Sequence, residues 1–304
     1  MDHFAVCQPP PPPLRRGDRV RLVAASSALD NATSLLAGIA LLEDWGLVVT
    51  SDAADLVQRR WGYLAGSDGQ RRSDLQEGEA ELHVCVRGGW GAARLLETPL
   101  AQPAGWLLGF SDVTSLLWQR LAVGLGGGVH GPLLTTLAAE PAWSQQRLRA
   151  LLFGEPLPPL QGVGWGGGRG SGPLLVANLT VATHLLGTPH LPALDGAVLI
   201  LEDVGEAPYR IERMLTHWRL CGALQRLAGI GFGSFSGCEE ADRRAEEPAE
   251  QRFSLEQVLR ERTAGLGIPL VADLPVGHGC VNAALPLGVG AVLDGDRGTL
   301  ALFP

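Results

Sequence analysis

A chain of 304 residues, 46% apolar and 18% charged, has room for one large or two medium domains with a sizeable core, and is neither disordered nor a coiled coil. Its net charge of -8 opposes phosphate backbones and anionic membranes, so neither nucleic acid nor membrane is an expected partner. All 24 basic residues are Arg, which removes lysine Schiff-base chemistry and a P-loop lysine. The five cysteines, Cys7, Cys85, Cys221, Cys238 and Cys280, show no C-x-x-C or metal-ligand spacing. Reduced thiols and no metal are therefore expected. The N-terminus carries a proline run where a signal peptide needs an apolar stretch, and no run approaches a membrane span, so a cytoplasmic location is expected.

In chain order, residues 1–16 read as a flexible proline-rich arm, centred on Pro9 to Pro13. RVRLVAASS (19–27) reads as a buried strand, Asn31 to Asp44 as an amphipathic helix and GLVVT (46–50) as a second strand. A helix is expected around SDLQEGEAE within 66–81. ELHVCV (81–86) is a strand that breaks at Arg87-Gly88-Gly89, and GWLLGF (105–110) is another, followed directly by the helical pattern DVTSLLWQRLAVG. GVHGPLL (128–134) reads as one more strand. Strands alternating with helices predict a mostly parallel α/β sheet. The stretch 156–172 is dense in glycine and reads as a linker. Beyond it come the strand AVLILED (197–203), the helix PYRIERMLTHWRL and the segment LAGIGFGSF. A charged loop at 239–252, a helix near SLEQVLRERTAG and a two-stranded tail turned by D-G-D-R-G complete the chain.

Four places can carry chemistry. In GFSD (109–112) a serine sits between an apolar strand and a helix, where it can cap the helix or act as a nucleophile at the carboxyl edge of a sheet. Val113 replaces the glycine of a G-x-S-x-G elbow, so an ordinary α/β-hydrolase is not supported. The glycines of RGGWG (87–91) suit either a tight turn or backbone N–H donors for a developing anion. LEDVGE (201–206) offers three acids; strand alternation sends Glu202 and Asp203 to opposite faces. His278 lies between glycines in VGHGC, a setting open to a structural or a catalytic histidine. Together these supply a nucleophile, donors, a carboxylate and a base in the order Ser, Glu, His.

At this point the residues resemble the LD-carboxypeptidase family of the murein tetrapeptide type, whose relatives include microcin C self-immunity proteins. The resemblance rests on RRGDRVRLVAASS, GYLAGSDGQRRSDLQ, RGGWGAARLL, GFSDVTSLL, HGPLL, NLTVATHLLGTP, LILEDVGEAPYRIERML and GHGCVNAALPLGV, collinear over nearly the whole chain. It implies an N-terminal Rossmann-like domain similar to class I glutamine amidotransferases (17–155) and, after the 156–172 linker, a smaller β-rich α/β domain (173–304). It further implies Ser111 as nucleophile, Glu202 as orienting carboxylate and His278 as general base, divided between the two domains. Backbone N–H groups of Gly89 and Asp112 would form the oxyanion hole, and Arg87, Gly88 and Trp90 would border the substrate. The implied reaction removes a terminal D-alanine from an L-centre of a muropeptide in cell-wall recycling, without cofactor, in an enzyme that is often a homodimer. Trp90 where the family commonly has tyrosine, and AASS where a proline often precedes the serines, touch substrate preference rather than chemistry. A self-immunity amidase cleaving aminoacyl-nucleotides and a non-catalytic muropeptide-binding protein are the competing readings.

Overall fold

The computed structural model describes residues 8–239 and 253–303. These form two compact units. The first takes in the chain as far as Leu157 together with Gly187–Pro192 and Cys280–Gly288; the second takes Pro158–Leu186, Ala193–Gly279 and Val289–Pro304.

Counting elements in chain order, the first unit contains β1 (Arg19–Val23), β2 (Val48–Val49), β3 (Leu82–Cys85), β4 (Trp106–Gly109) and β5 (Gly128–His130). They pair in parallel in the order β2-β1-β3-β4-β5, and β12 (Leu285–Pro286) closes the β5 edge antiparallel. Every residue of β3 and β4 is buried, which explains the unbroken apolar run of β4 and, apart from His83, of β3. The core gathers Val20 and Leu22 from β1, Leu82 and Val84 from β3, and Leu35 and Leu42 from helix α1 (Thr33–Asp44).

Five local readings change. A short helix α2 (Ala53–Gln58) is capped by Asp52, whose carboxylate accepts from Ala54 and Asp55 N–H. Helix α3 (Asp68–Gln76) begins earlier than expected because Ser67 and Gln70 form a reciprocal capping box, and it stops before Gly78. After α4 (Thr114–Ala122), strand β5 ends at His130, and Leu134–Leu137 is the short helix α5 rather than strand. Helix α6 (Ala142–Leu152) follows where no element is read from the sequence. The described part of the proline arm is pinned rather than flexible: Leu14 is buried and donates its N–H to Leu152 O at 2.8 Å, and Trp106 Nε1 donates to Pro12 O at 2.9 Å.

The second unit contains β6 (Leu160–Gln161), β7 (Val163–Gly166), β8 (Arg169–Asn178), β9 (Val198–Val204), β10 (Gly229–Ser236), β11 (Leu270–Ala272), β13 (Gly290–Asp294) and β14 (Thr299–Phe303). The sheet order is β6-β14-β13-β8-β9-β10-β11-β7, parallel from β8 to β11 and antiparallel elsewhere. Helices α7 (Leu179–Leu185), α8 (Pro208–Leu220) and α9 (Leu255–Thr263) belong to this unit.

The stretch 156–172, expected as a linker, is largely sheet: it holds β6, β7 and the start of β8. Several of its glycines, Gly162, Gly164, Gly167, Gly170 and Gly172, answer close backbone approach. A Cβ at Gly170 would lie 1.9 Å from Ala228 O, and one at Gly172 would lie 1.8 Å from Gly196 O. The C-terminal hairpin forms as read, with Asp294 accepting from Asp296 and Arg297 N–H across the turn. Apart from Glu239, the charged loop expected at 239–252 lies outside the described residues.

Candidate active site

In the first unit, apolar β4 ends at Gly109 and the chain passes through a 3-10 turn (Ser111–Val113) into α4. Ser111 is left-handed, with φ 63, which for a residue with a Cβ costs roughly 1–2 kcal/mol. The cap position of α4 is Val113, two residues beyond the serine.

The Arg87–Trp90 loop after β3 lies against this serine. A Cβ at Gly88 would stand 3.0 Å from Ser111 Cβ and 3.1 Å from its Oγ. Gly89 has φ +102, and a Cβ there would stand 2.4 Å from Ser27 Oγ. Gly89 is thus demanded by contact and by turn geometry, Gly88 by close approach to the serine alone. Ser27 organises the loop: its N–H donates to Gly88 O at 3.2 Å and its hydroxyl accepts from Trp90 N–H at 3.1 Å. Nothing in the sequence flagged Ser27 beyond its place in AASS. The Trp90 side chain is exposed. Arg87 Nη1 donates to Ala28 O at 2.7 Å and pairs with Asp30. Asp112 is buried, which pushes its carboxyl up, and the Ala92 N–H it accepts at 2.8 Å opposes the push.

In the second unit, Glu202 on β9 is fully buried. Its Oε2 takes the His278 backbone N–H at 3.1 Å and the His278 Nδ1 at 2.6 Å. Oε1 has no hydrogen-bond partner among the described residues. Burial drives this carboxyl above the ordinary glutamate range, and the bonds from His278 pull the other way. A carboxylate is acceptor-only, so Nδ1 of the neutral imidazole carries the proton and Nε2 the lone pair. Gly277 makes the approach possible: its φ is +100, and a Cβ would lie 2.4 Å from Glu202 Oε2. The flanking glycines of VGHGC were visible in the sequence, but not which carboxylate the one before the histidine accommodates.

Asp203 points the other way along β9. It accepts from Asn178 Nδ2, Thr180 N–H, Thr180 Oγ1 and its neighbour Val204 N–H, all at 2.8–3.0 Å, and so ties the start of α7 to the strand. Glu206 pairs with Arg210 at 3.3 Å. Of the three acids in LEDVGE, Glu202 is the one bonded to His278. His130, the other histidine after a strand, is buried in the first unit with its ring edge-on to Phe110. Among the described residues no group of three His, Cys, Asp or Glu could hold a metal ion, and no helix is long and apolar enough to cross a membrane.

Comparison with known proteins gives three concordant findings. The LD-carboxypeptidase N-terminal domain matches residues 20–131, and the LD-carboxypeptidase C-terminal domain matches residues 171–293. A protein of Synechocystis sp. named "Putative carboxypeptidase slr1534" is 47% identical over 96% of this chain and 97% of its own length. The murein tetrapeptide carboxypeptidase of Pseudomonas aeruginosa is 36% identical over 92% of this chain and 94% of its own. Among solved structures, the microcin C7 self-immunity protein MccF superposes with a TM-score of 0.82 over 97% of this chain and 98% of that one. At 20% identity that likeness shows the fold alone.

Proposed function

The chain belongs to the LD-carboxypeptidase family, and on that premise we propose that it is a serine carboxypeptidase releasing the terminal D-alanine of L,D-linked muropeptide tetrapeptides. The observation that carries the reading is the Glu202–His278 pair. A fully buried carboxylate holds the Nδ1 side of an imidazole and so prepares Nε2 as a base.

Ser111 Oγ attacks the scissile carbonyl carbon as His278 takes its proton. The tetrahedral oxyanion is received by the N–H groups of Gly89 and Asp112, each such donor being worth about 3 kcal/mol of barrier. Gly88 and Trp90 border the substrate. His278 then protonates the departing D-alanine amine, leaving an ester on Ser111. A water molecule, deprotonated by His278, hydrolyses that ester and restores the serine. Glu202 holds the imidazole in one tautomer and stabilises its charged form throughout. Arg87, already engaged by Ala28 O and Asp30, is the cation nearest in sequence to this loop for the substrate's terminal carboxylate.

The test is incubation of the purified chain with a disaccharide-tetrapeptide and with the free tetrapeptide, followed by mass spectrometry. Loss of one alanine from either supports the reading. No alanine release, with cleavage of an aminoacyl-nucleotide instead, would replace it by the self-immunity activity. Tight binding of the intact peptide without cleavage would replace it by a binding protein.

A further inference from the structure

Two residues after His278 the chain enters the first unit, at Cys280, and its next stretch is held by three polar side chains from α6 and the residues just before it. Ser144 and Arg147, three residues apart, share one face of α6, and Glu140 lies just before the extended Pro141 that leads into it. The Glu140 carboxylate accepts Asn282 N–H at 3.0 Å, Ser144 Oγ donates to Asn282 O at 2.8 Å, and Arg147 Nε donates to Ala284 O at 3.1 Å. Immediately beyond, Leu285 and Pro286 pair with β5.

The physical cost of this arrangement is unusual for an ordinary loop anchor. Ser144, Arg147 and Asn282 are all buried. Burial lowers the Arg147 guanidinium to about 10 and raises the Glu140 carboxyl, so both ionised groups sit where their charge is disfavoured. Apolar side chains on α6 would pack the same helix without burying charge. What they would not do is hold the N–H and C=O of one residue, Asn282, from both sides. On its upstream side His278 is already fixed, because Val276 O accepts Ser234 N–H at 2.8 Å and Glu202 takes the His278 N–H. The segment 279–281 is the short free span between two anchors.

We infer that Glu140, Ser144 and Arg147 are positioning residues for His278: by fixing the backbone of Asn282–Ala284 they limit the travel of the imidazole that Glu202 orients. The inference rests on the carboxypeptidase reading for its kinetic consequence, and on geometry alone for its effect on the ring. Misplacing a catalytic group by about 1 Å costs on the order of a hundredfold in rate, so a loosened downstream anchor is expected to lower kcat while leaving KM in place.

The experiment compares the full-length wild type with Glu140→Ala, Ser144→Ala, Glu140→Gln and Trp106→Phe. Three quantities are read: kcat and KM for tetrapeptide, the rate of labelling by a fluorophosphonate, and the His278 Nδ1–H signal in the imidazole proton–nitrogen spectrum. Glu140→Ala and Ser144→Ala should lose kcat and labelling rate about tenfold or more, with KM within about twofold, and should broaden the Nδ1–H signal. Glu140→Gln keeps an acceptor oxygen for Asn282 N–H and should recover most of the rate. Trp106→Phe removes a hydrogen bond to Pro12 O and should lose stability only. The inference is overturned if activity in the Ala variants merely follows the folded fraction, as in Trp106→Phe, with the His278 signal unmoved. If the wild type neither releases alanine nor labels, the carboxypeptidase reading fails separately, and the His278 signal still decides whether α6 positions the ring.

Discussion

Replacing Glu202 by Gln tests the paired carboxylate with almost no change of volume. The side-chain oxygen at Oε2 now receives both the backbone N–H and the Nδ1–H of His278. An amide that keeps its oxygen there puts its NH2 where Oε1 sits without a partner, and an orphaned buried donor costs about 1–3 kcal/mol. An amide that flips presents NH2 to Nδ1 and forces the wrong imidazole tautomer. Either way the base is impaired, and turnover should fall at least ~100-fold. Stability carries a second signature. The Glu202 carboxyl is raised above its ordinary value of 4.5, chiefly by burial, so the folded state holds this proton more tightly than the unfolded chain. Its contribution to stability is therefore complete below pH 4.5 and is lost as pH rises through the raised value. Glutamine does not titrate. The melting temperature of the variant minus that of the wild type should accordingly become more positive from acidic to neutral pH. Asp74, Asp112 and Asp203, whose carboxyls are also raised, are common to both proteins and cancel in the difference. Glu206→Gln is the control, because its ion pair with Arg210 is worth under about 1 kcal/mol. Turnover within ~10-fold of wild type in Glu202→Gln, combined with collapse in Glu206→Gln, would refute the assignment.

Ser111→Ala and Ser111→Gly should both abolish turnover, but the glycine variant should be more stable than the alanine variant by about 1 kcal/mol in denaturant unfolding, because φ 63 strains any residue with a Cβ. Gly277→Ala should destabilise by about 2 kcal/mol or more, measured by thermal unfolding, and reduce turnover as well, since the new Cβ meets Glu202 Oε2 at 2.4 Å on a backbone with φ +100. Asp203→Asn should do the opposite of Glu202→Gln: with four hydrogen bonds to one buried carboxylate disturbed, stability falls by about 2 kcal/mol, while turnover per folded molecule, from active-site titration, stays near wild type.

What could be read from the sequence follows the range of the interactions involved. Central strands such as β4 were legible because burial on both faces writes them as apolar runs, and the division of Glu202 from Asp203 was legible because strand alternation is local. The start of α3 is written in Ser67 and Gln70, whose reciprocal capping spacing precedes the acidic run. The 156–172 stretch was not legible in the same way. Glycine signals both a flexible chain and a close backbone approach, and only the positions of Ala228 O and Gly196 O, far along the chain, distinguish the two. The same holds for the proline arm, whose partners Trp106 and Leu152 are remote, and for Glu140, which meets Asn282 across 142 positions. A polar residue at the end of a strand announces a possible site. The contacts that decide its role are written elsewhere.

The candidate site is also where the chain departs most from a relaxed choice of residue. A helix entrance needs no left-handed serine, since Gly would serve at φ 63 without strain. A strand core needs no carboxylate with an unpartnered oxygen, since an apolar residue of similar size at 202 would pack without burying charge. Each such departure is worth roughly 1–3 kcal/mol against a total domain stability of about 5–15 kcal/mol. Random drift at positions with no role would remove them, because single substitutions suffice. The two departures also fall on residues with complementary chemistry, a hydroxyl in one unit and an oriented imidazole with its carboxylate in the other. Strain without complementary chemistry would suggest a structural accident, and complementary residues without strain would suggest coincidence of composition. Their joint occurrence is what the proposed mechanism, with Ser111, His278 and Glu202 in their named roles, requires of a chain selected for a reaction as well as for stability.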